Sequence, residues 1–471
     1  LRVRLFGNRT RHNWRLKHRS ALLLLVILFV AAGCSLLEPP PRPVVPTADI
    51  SAVESDNAVA FNSLRTDAGT ADVAVPVVDQ AIVGLMEQAS RQNLYAYVQT
   101  LQNFGTRHTL SPREQEEAGI GAAARWIFEE FERVGAGRLQ VAFHEFPFDF
   151  GGRVTTQQNI IARLPGEGDH NGLIVLTAYY DSRGSDPNDP TAPAPGANNN
   201  ASGVALLLEA ARLLSARGWQ QEIVFIAFAA GEQDFFGSRR YVQESMLDGV
   251  VFDAAINVEA VGGSPAVPRS MLIFASPDVP GAAQLARYFV LITNLYMSNF
   301  PVEHRPMLDR QGRSGDQAAF AAAGVPAIKI TESQEASSLR HTASDTADRL
   351  DYDYLVQMTQ LVVAAVANMA ASPPVASAPA VAAMAAEGTY LLSWAPHPRA
   401  ASYAVAFRIQ ASEERVLRYI GAAEGGEVVL TGLNPGYDYA ISVAPIDSAG
   451  HIGLFSEEVF TAGATEAEAQ P

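Results

Sequence analysis

The alternation of apolar and polar positions divides the chain into regions of different period. An unbroken apolar run occupies residues 21–33 (ALLLLVILFVAAG). It is too short for a comfortable transmembrane helix, which needs about 20 residues, and has the length of the hydrophobic region of a secretory signal. Residues 34–76 are rich in Pro, Ala, Val and Asp, lack a sustained period, and read as a disordered tether. From Val77 apolar residues return at helical spacing (Ile82, Leu85, Met86, Leu94, Tyr97, Val98, Leu101). Residues 122–134 predict a second amphipathic helix, with Ile127, Phe128, Phe131 and Val134 on one side. Strand-like runs follow at 139–150 and 159–164, and 173–179 (LIVLTAY) and 222–228 (EIVFIAF) have the all-apolar texture of buried strands. Further strands are predicted at 251–258, 271–274 and 327–330, with helices at 201–216, 281–295 and 352–371. Strand and helix alternate over residues 77–371, which predicts an α/β sheet with helices on both faces. Residues 372–386 (SPPVASAPAVAAMAA) read as a Pro/Ala linker, residues 387–464 as a small all-β sandwich of short alternating runs, and 465–471 as an acidic tail.

Charge narrows the function classes. The 471 residues hold 34 Lys+Arg against 50 Asp+Glu, a formal charge of −16. That balance excludes a general nucleic-acid binder, which needs a basic face. The single cysteine, Cys34, excludes both a disulfide framework and a cysteine-cluster zinc site, so any metal must be held by His, Asp and Glu. Arg2, Arg4, Arg9, Arg11, Arg15, Lys17 and Arg19 precede the apolar run, and no acid occurs before Glu38. The sequence Ala31-Ala32-Gly33-Cys34 resembles a bacterial lipobox. The resemblance implies a signal peptide over 1–33, cleavage before Cys34 and a lipid on its sulfur; an uncleaved anchor is the alternative. In either case the remainder is expected to be extracytoplasmic and tethered to a bacterial cell membrane or surface. Residues 34–471 alone carry 27 basic and 50 acidic side chains, or −23. Only Lys17 and Lys329 are lysines, a bias that carries no functional meaning at this level.

Two segments carry family resemblances. Residues 433–439 (LNPGYDY), Trp394 and the turn 444–450 resemble the tyrosine-corner segment, core tryptophan and last turn of fibronectin type III domains. The larger segment, from about Leu94 to Ala371, resembles the secreted zinc aminopeptidases of metallopeptidase family twenty-eight. The motifs run in order: FGTRH at 104–108, YYDS at 179–182, GANNNASG at 196–203, FAAGEQDFFGS at 228–238, NVE at 257–259, and His341-Thr342 leading to Asp345-Thr346. The resemblance implies a three-layer mixed sheet and two zinc ions a few ångströms apart. Such a pair takes about three carboxylates and two imidazoles, one carboxylate bridging, with a separate Glu as general base.

Role by role, the resemblance places the first-metal His at Tyr179 and the bridging Asp at Asn199. The general base falls at Gly231, the second-metal Glu at Glu232, the first-metal Asp at Glu259 and the second-metal His at His341. Asp181 falls where the family orients its first His, and Gly315-Asp316-Gln317 where it has Ser-Asp-His. Phenol and amide are poor replacements for imidazole and carboxylate, and Gly231 supplies no base. The expectation is a catalytically degenerate member that binds peptides or a protein partner in the old substrate cleft, with zinc absent or reduced to one ion. The alternatives are an active zinc aminopeptidase with a rebuilt centre, or a mono-metal hydrolase or cyclase on Glu232, His341 and the Asn199 oxygen. Asp234 could replace the base, though it reads as a solvated loop acid. His108, His144, His170 and His304 read as surface or packing residues, and His397 and His451 belong to the β module.

Overall fold

The computed structural model describes residues 61, 64–66, 73–422 and 425–462. The basic segment, the apolar run, Cys34 and the acidic tail lie outside these residues. After a two-residue strand β1 (Arg65–Thr66), three helices follow: α1 (Gln80–Glu87), α2 (Arg91–Asn103) and α3 (Gly119–Gly135). Side chains cap two of them, Asp79 accepting from the Ala81 amide and Ser90 from that of Asn93.

An eight-stranded mixed sheet forms the centre, in the order β2 (Gln140–Phe150), β3 (Arg153–Leu164), β5 (Glu222–Phe228), β4 (Gly172–Tyr179), β6 (Val251–Val258), β9 (Ala327–Glu332), β7 (Met271–Ala275), β8 (Val302–Arg305). Strands β5, β4, β6 and β9 run parallel, so their carboxyl ends share one edge. Alternation along β4 distributes its side chains between two cores. Ile174, Leu176 and Ala178 enter the large cluster under α3, α4 (Ser202–Leu214), α6 (Pro280–Tyr296) and α8 (Tyr352–Ala371). Leu173, Val175 and Tyr179 face α5 (Phe236–Leu247) and α7 (Gln317–Ala322) on the other side. The three-layer mixed sheet expected from the pattern is therefore present. Helix α5 escapes the pattern because its buried face is mostly small or polar: Gly237, Ser238, Tyr241, Val242 and Ser245. Helix α8 is apolar enough to span a membrane, yet 83% of its most apolar stretch is buried inside the fold, as in a core helix.

The C-terminal strands form two antiparallel sheets facing each other. One has the order β1, β14 (Glu427–Thr431), β11 (Tyr390–Ala395), β10 (Ser377–Ala383); the other has β13 (Val416–Gly421), β12 (Ser402–Ile409), β15 (Tyr439–Ile446), β16 (Val459–Phe460). Two boundaries drawn from composition need correction. Residues 377–383, expected in a Pro/Ala linker, are strand β10, which pairs with β11. Phe61, Leu64 and β1, expected in the tether, complete the sandwich: both side chains are buried in its core and β1 pairs with β14. Alanine-rich sequence conceals the strand because its cross-strand neighbours, not its own propensity, hold it.

The sandwich is fused to the larger unit. In β12, Tyr403, Val405 and Phe407 fill the sandwich core, while Ala404 and Ala406 on the opposite face join the large cluster with α8. Polar ties cross the same junction. Asn368 donates to the Ile452 carbonyl at 2.8 Å, and His451 lies 2.9 Å from both Asp79 and Asp447.

Candidate functional site

The site lies where the parallel strands end, the position at which open α/β sheets place ligands. Tyr179 closes β4, Gly231 and Glu232 follow β5, Glu259 follows β6, and His341 lies on the segment after β9. Five of the seven non-glycine residues with positive φ among the described residues flank these positions: Ala230, Asp234, Phe235, Ala260 and His341. Backbone held in that region costs of order 1–3 kcal/mol per residue and marks loops shaped by their surroundings.

Several residues near the site are structural pins. Arg107, fully buried, donates to the carbonyls of Leu101, Tyr180, Pro195 and Gly196. Asp345 accepts from the amides of Asn198 (2.8 Å) and Asn199 (3.0 Å), and Asn200 donates to the Val258 carbonyl (3.0 Å). Asp181, with no imidazole to orient, accepts from the amides of Gly231 (2.8 Å) and Glu232 (2.9 Å) instead. Burial, followed by the Glu232 charge, raises its pKa to about 7 despite those amides.

Four of the ligand positions, two substituted and two kept, do converge. Tyr179 Oη donates to Asn199 Oδ1 at 2.8 Å, and Asn199 Nδ2 donates to Glu232 Oε1 at 2.6 Å. Arg183 Nε reaches Glu232 Oε2 at 3.1 Å, and His341 Nε2 lies 2.9 Å from the same oxygen. Burial works to raise the Glu232 pKa, but His341, Arg340 and Arg183 override it and hold the carboxylate at about 2. Burial and the neighbouring charges of Glu232 and Glu259 push the Tyr179 phenol well above its usual range, so it stays a neutral donor.

Gly231 stands where the general base would, and supplies no side chain. The space is occupied: a Cβ at Gly231 would lie 2.3 Å from Tyr179 Cγ and 2.5 Å from its Cβ. The phenol ring and the missing side chain are thus complementary. Asp234 does not refill the position. Its side chain is 78% exposed and pairs with Arg239 at 2.7 Å, as a solvated loop acid does.

Glu259 is also taken. Its Oε2 lies 2.7 Å from Lys329 Nζ, which lies 2.8 Å from Asp309 Oδ2, and all three side chains are 0% exposed. Arg313 Nη2 approaches the other Glu259 oxygen at 3.4 Å. Among the described residues no group of three or more His, Cys, Asp and Glu is arranged to hold a metal ion. This donor set does not fit a di-zinc centre. The bridging position is an amide whose nitrogen faces a carboxylate and whose oxygen faces a hydroxyl, so a flip would set oxygen against oxygen. A side-chain ammonium neutralises the first-metal carboxylate, and Glu232 is ringed by four donor groups.

Lys329, Asp309, Arg183, Arg313, Arg340 and Glu335 were not singled out from sequence. One signal existed. Lys329 stands in the apolar run AIKIT of a buried parallel strand, where a lysine needs a buried partner. The other histidines behave as packing or pairing residues: His108 meets the Pro187 carbonyl, His144 pairs with Glu244 and His170 with Asp253.

Residues 159–366 match peptidase family M28. A curated relative from Leptosphaeria maculans, "Probable zinc metalloprotease Lema_P086240", is 30% identical over 315 residues, covering 60% of this chain and 72% of its own. A "Probable zinc metalloprotease" from Pyricularia oryzae is 30% identical over 337 residues, covering 63% of this chain and 66% of its own, so the chain spans about two thirds of that relative. Among solved structures, the Legionella pneumophila LapA aminopeptidase superposes with TM-score 0.52 at 20% identity, over 64% of this chain and 78% of that one. An aminopeptidase from Aneurinibacillus sp. strain AM-1 superposes with TM-score 0.50 at 16% identity, over 62% and 96%. These two establish the aminopeptidase fold. The chain belongs to peptidase family M28.

Proposed function

We propose that this is a tethered, extracytoplasmic M28-family protein whose cleft binds a peptide or protein partner without di-zinc hydrolysis. The observation that carries the reading is the replacement of metal charge by side-chain charge: Lys329 lies between Glu259 and Asp309, and Arg183 and His341 face Glu232. The Tyr179 ring against Gly231 removes the place of the base as well. Tethering rests on residues 2–34 alone, and the curated relatives named above are fungal, so the bacterial lipoprotein reading has only that segment behind it. A fibronectin type III assignment for the C-terminal module is supported by its strand order and by the Asn434 amide donating to Tyr439 Oη at 3.1 Å.

The test is hydrolysis of an amino-acid amide and peptide panel by the purified chain in zinc, with and without chelator, alongside elemental analysis. No release and less than about 0.1 zinc per chain is expected, since loss of the base alone costs about 10²- to 10⁴-fold. Chelator-sensitive release at ordinary enzyme rates refutes the proposal. It would establish the second reading, a rebuilt zinc hydrolase, which the names of the relatives favour.

A further inference from the structure

Beside the substituted metal positions the structure holds more cationic donors than it can pair. Three guanidiniums surround one carboxylate, Glu335. Arg313 pairs with it directly, while Arg310 Nη1 and Arg340 Nε stop at 3.8 and 3.9 Å. Those separations are too long for hydrogen bonds. Arg310 Nη1, Arg313 Nε and Arg340 Nε are all buried and without a hydrogen-bond partner among the described residues. A buried donor left unmade costs free energy, more so when it is charged. Nearby acids do not absorb the surplus. Glu259 and Asp309 are engaged by Lys329. Asp345 is engaged by two backbone amides. Glu332 is pushed by burial to about 8, and Asp348 is exposed at the rim.

A cavity of about 230 Å³ opens beside Arg340 and Glu335, lined also by Asn198, Asn199, Leu339 and Asp345 among others, while Arg310 and Arg313 lie outside its lining. It is smaller than the pockets of about 300–1,000 Å³ that take drug-sized ligands, and suits one residue of a chain. The guanidinium fork matches a carboxylate in charge and geometry.

We propose that the cleft receives a peptide carboxylate, at a C-terminus or on an acidic side chain, with Arg340 as the donor. The inference rests on the reading that the cleft binds without hydrolysing, and supplies the chemistry of what is bound.

Calorimetric titration of the full chain with Ala-Ala-Ala, its C-terminal amide, and N-acetyl-Ala-Asp-Ala-amide tests it. At least one carboxylate-bearing peptide is expected to bind about 10- to 100-fold more tightly than the neutral amide, the range of a charge-assisted hydrogen bond. Comparing the two acids tells a terminal from a side-chain carboxylate. Arg340→Gln should abolish the preference with an unchanged melting temperature, and Arg340→Lys should recover part of it. Equal affinity for acids and amide, or a preference surviving in Arg340→Gln, overturns the inference. Zinc-dependent release of alanine from the same peptides would overturn the non-hydrolytic reading separately, because it is read in product and not in affinity.

Discussion

Lys329 is the residue whose removal most directly tests the charge replacement. Its ammonium makes two close ion pairs, at 2.7 Å to Glu259 and 2.8 Å to Asp309, with all three side chains 0% exposed. At an effective dielectric of 20 each contact is worth about 6 kcal/mol of Coulomb energy, most of it offset by desolvation. Removing one partner leaves the offset uncompensated, and breaking a buried pair costs about 3–5 kcal/mol. Here two carboxylates lose the same cation. Lys329→Ala should therefore lose about 3–5 kcal/mol in urea denaturation at pH 7, a large share of the usual stability of about 5–15 kcal/mol. Millimolar zinc or magnesium should return part of the loss by binding the folded state between Glu259 and Asp309, and should leave the unsubstituted chain unchanged. A loss below about 1 kcal/mol, or equal stabilisation of both chains by the cation, would refute the idea that the ammonium stands in for a metal.

Further outcomes follow from the same geometry. Tyr179→His, Asn199→Asp and Gly231→Glu together should fail to bind zinc while Lys329 remains; adding Lys329→Ala should allow uptake measurable by elemental analysis, and zinc in the triple variant would count against the account. Gly231→Ala alone should destabilise the fold by about 1–3 kcal/mol through overpacking against Tyr179, read as a shifted urea midpoint. Stability should peak near pH 5 and decline toward pH 8. Asp181, Asp316 and Glu332, raised mainly by burial to about 7, 8 and 8, keep in the folded state protons that the unfolded chain releases from about pH 4 upward. His170 and His451, raised first by hydrogen bonds to Asp253 and Asp447, lose their contribution as pH rises through their folded values. Glu232, held near 2, fails on the acid side as pH falls below about 4.5. A melting temperature that climbs from pH 5 to pH 8 would contradict this balance. Truncation before Ser377 should lower the melting temperature of the larger unit by about 5 °C or more, because Ala404, Ala406 and Ile446 share its core; an unchanged melt would make the sandwich an independent bead.

How much of this was legible in the chain differs by element. The buried strands LIVLTAY and EIVFIAF declare themselves because strands covered on both faces are apolar at every position. The order of the motifs from FGTRH to His341 placed six ligand or base positions on one edge of the sheet; the side chains of Tyr179, Asn199, Glu232 and His341 meet there, while Glu259 is held by Lys329. Strand β10 and the β1 segment were unreadable, because alanine, proline and isolated apolar residues acquire strand structure only from neighbours distant in sequence.

Local pattern therefore determined the α/β core, the presence of a β module, and which residue stands at each ligand position, since each depends on residue type at a fixed place. Occupancy of the vacated positions is a matter of three-dimensional neighbours. Lys329 lies 70 residues from Glu259 and looked like a compositional accident. Parallel pairing of β6 with β9 sets it opposite Asn257, two residues before Glu259 and on the same face, which brings the ammonium to the carboxylate. The ring of Tyr179 over Gly231, the three arginines around Glu335 and the docking of Ala404 and Ala406 are of the same kind. Each is a contact between segments that no local period encodes, and each follows from side chains competing for one buried volume once the sheet has set its register.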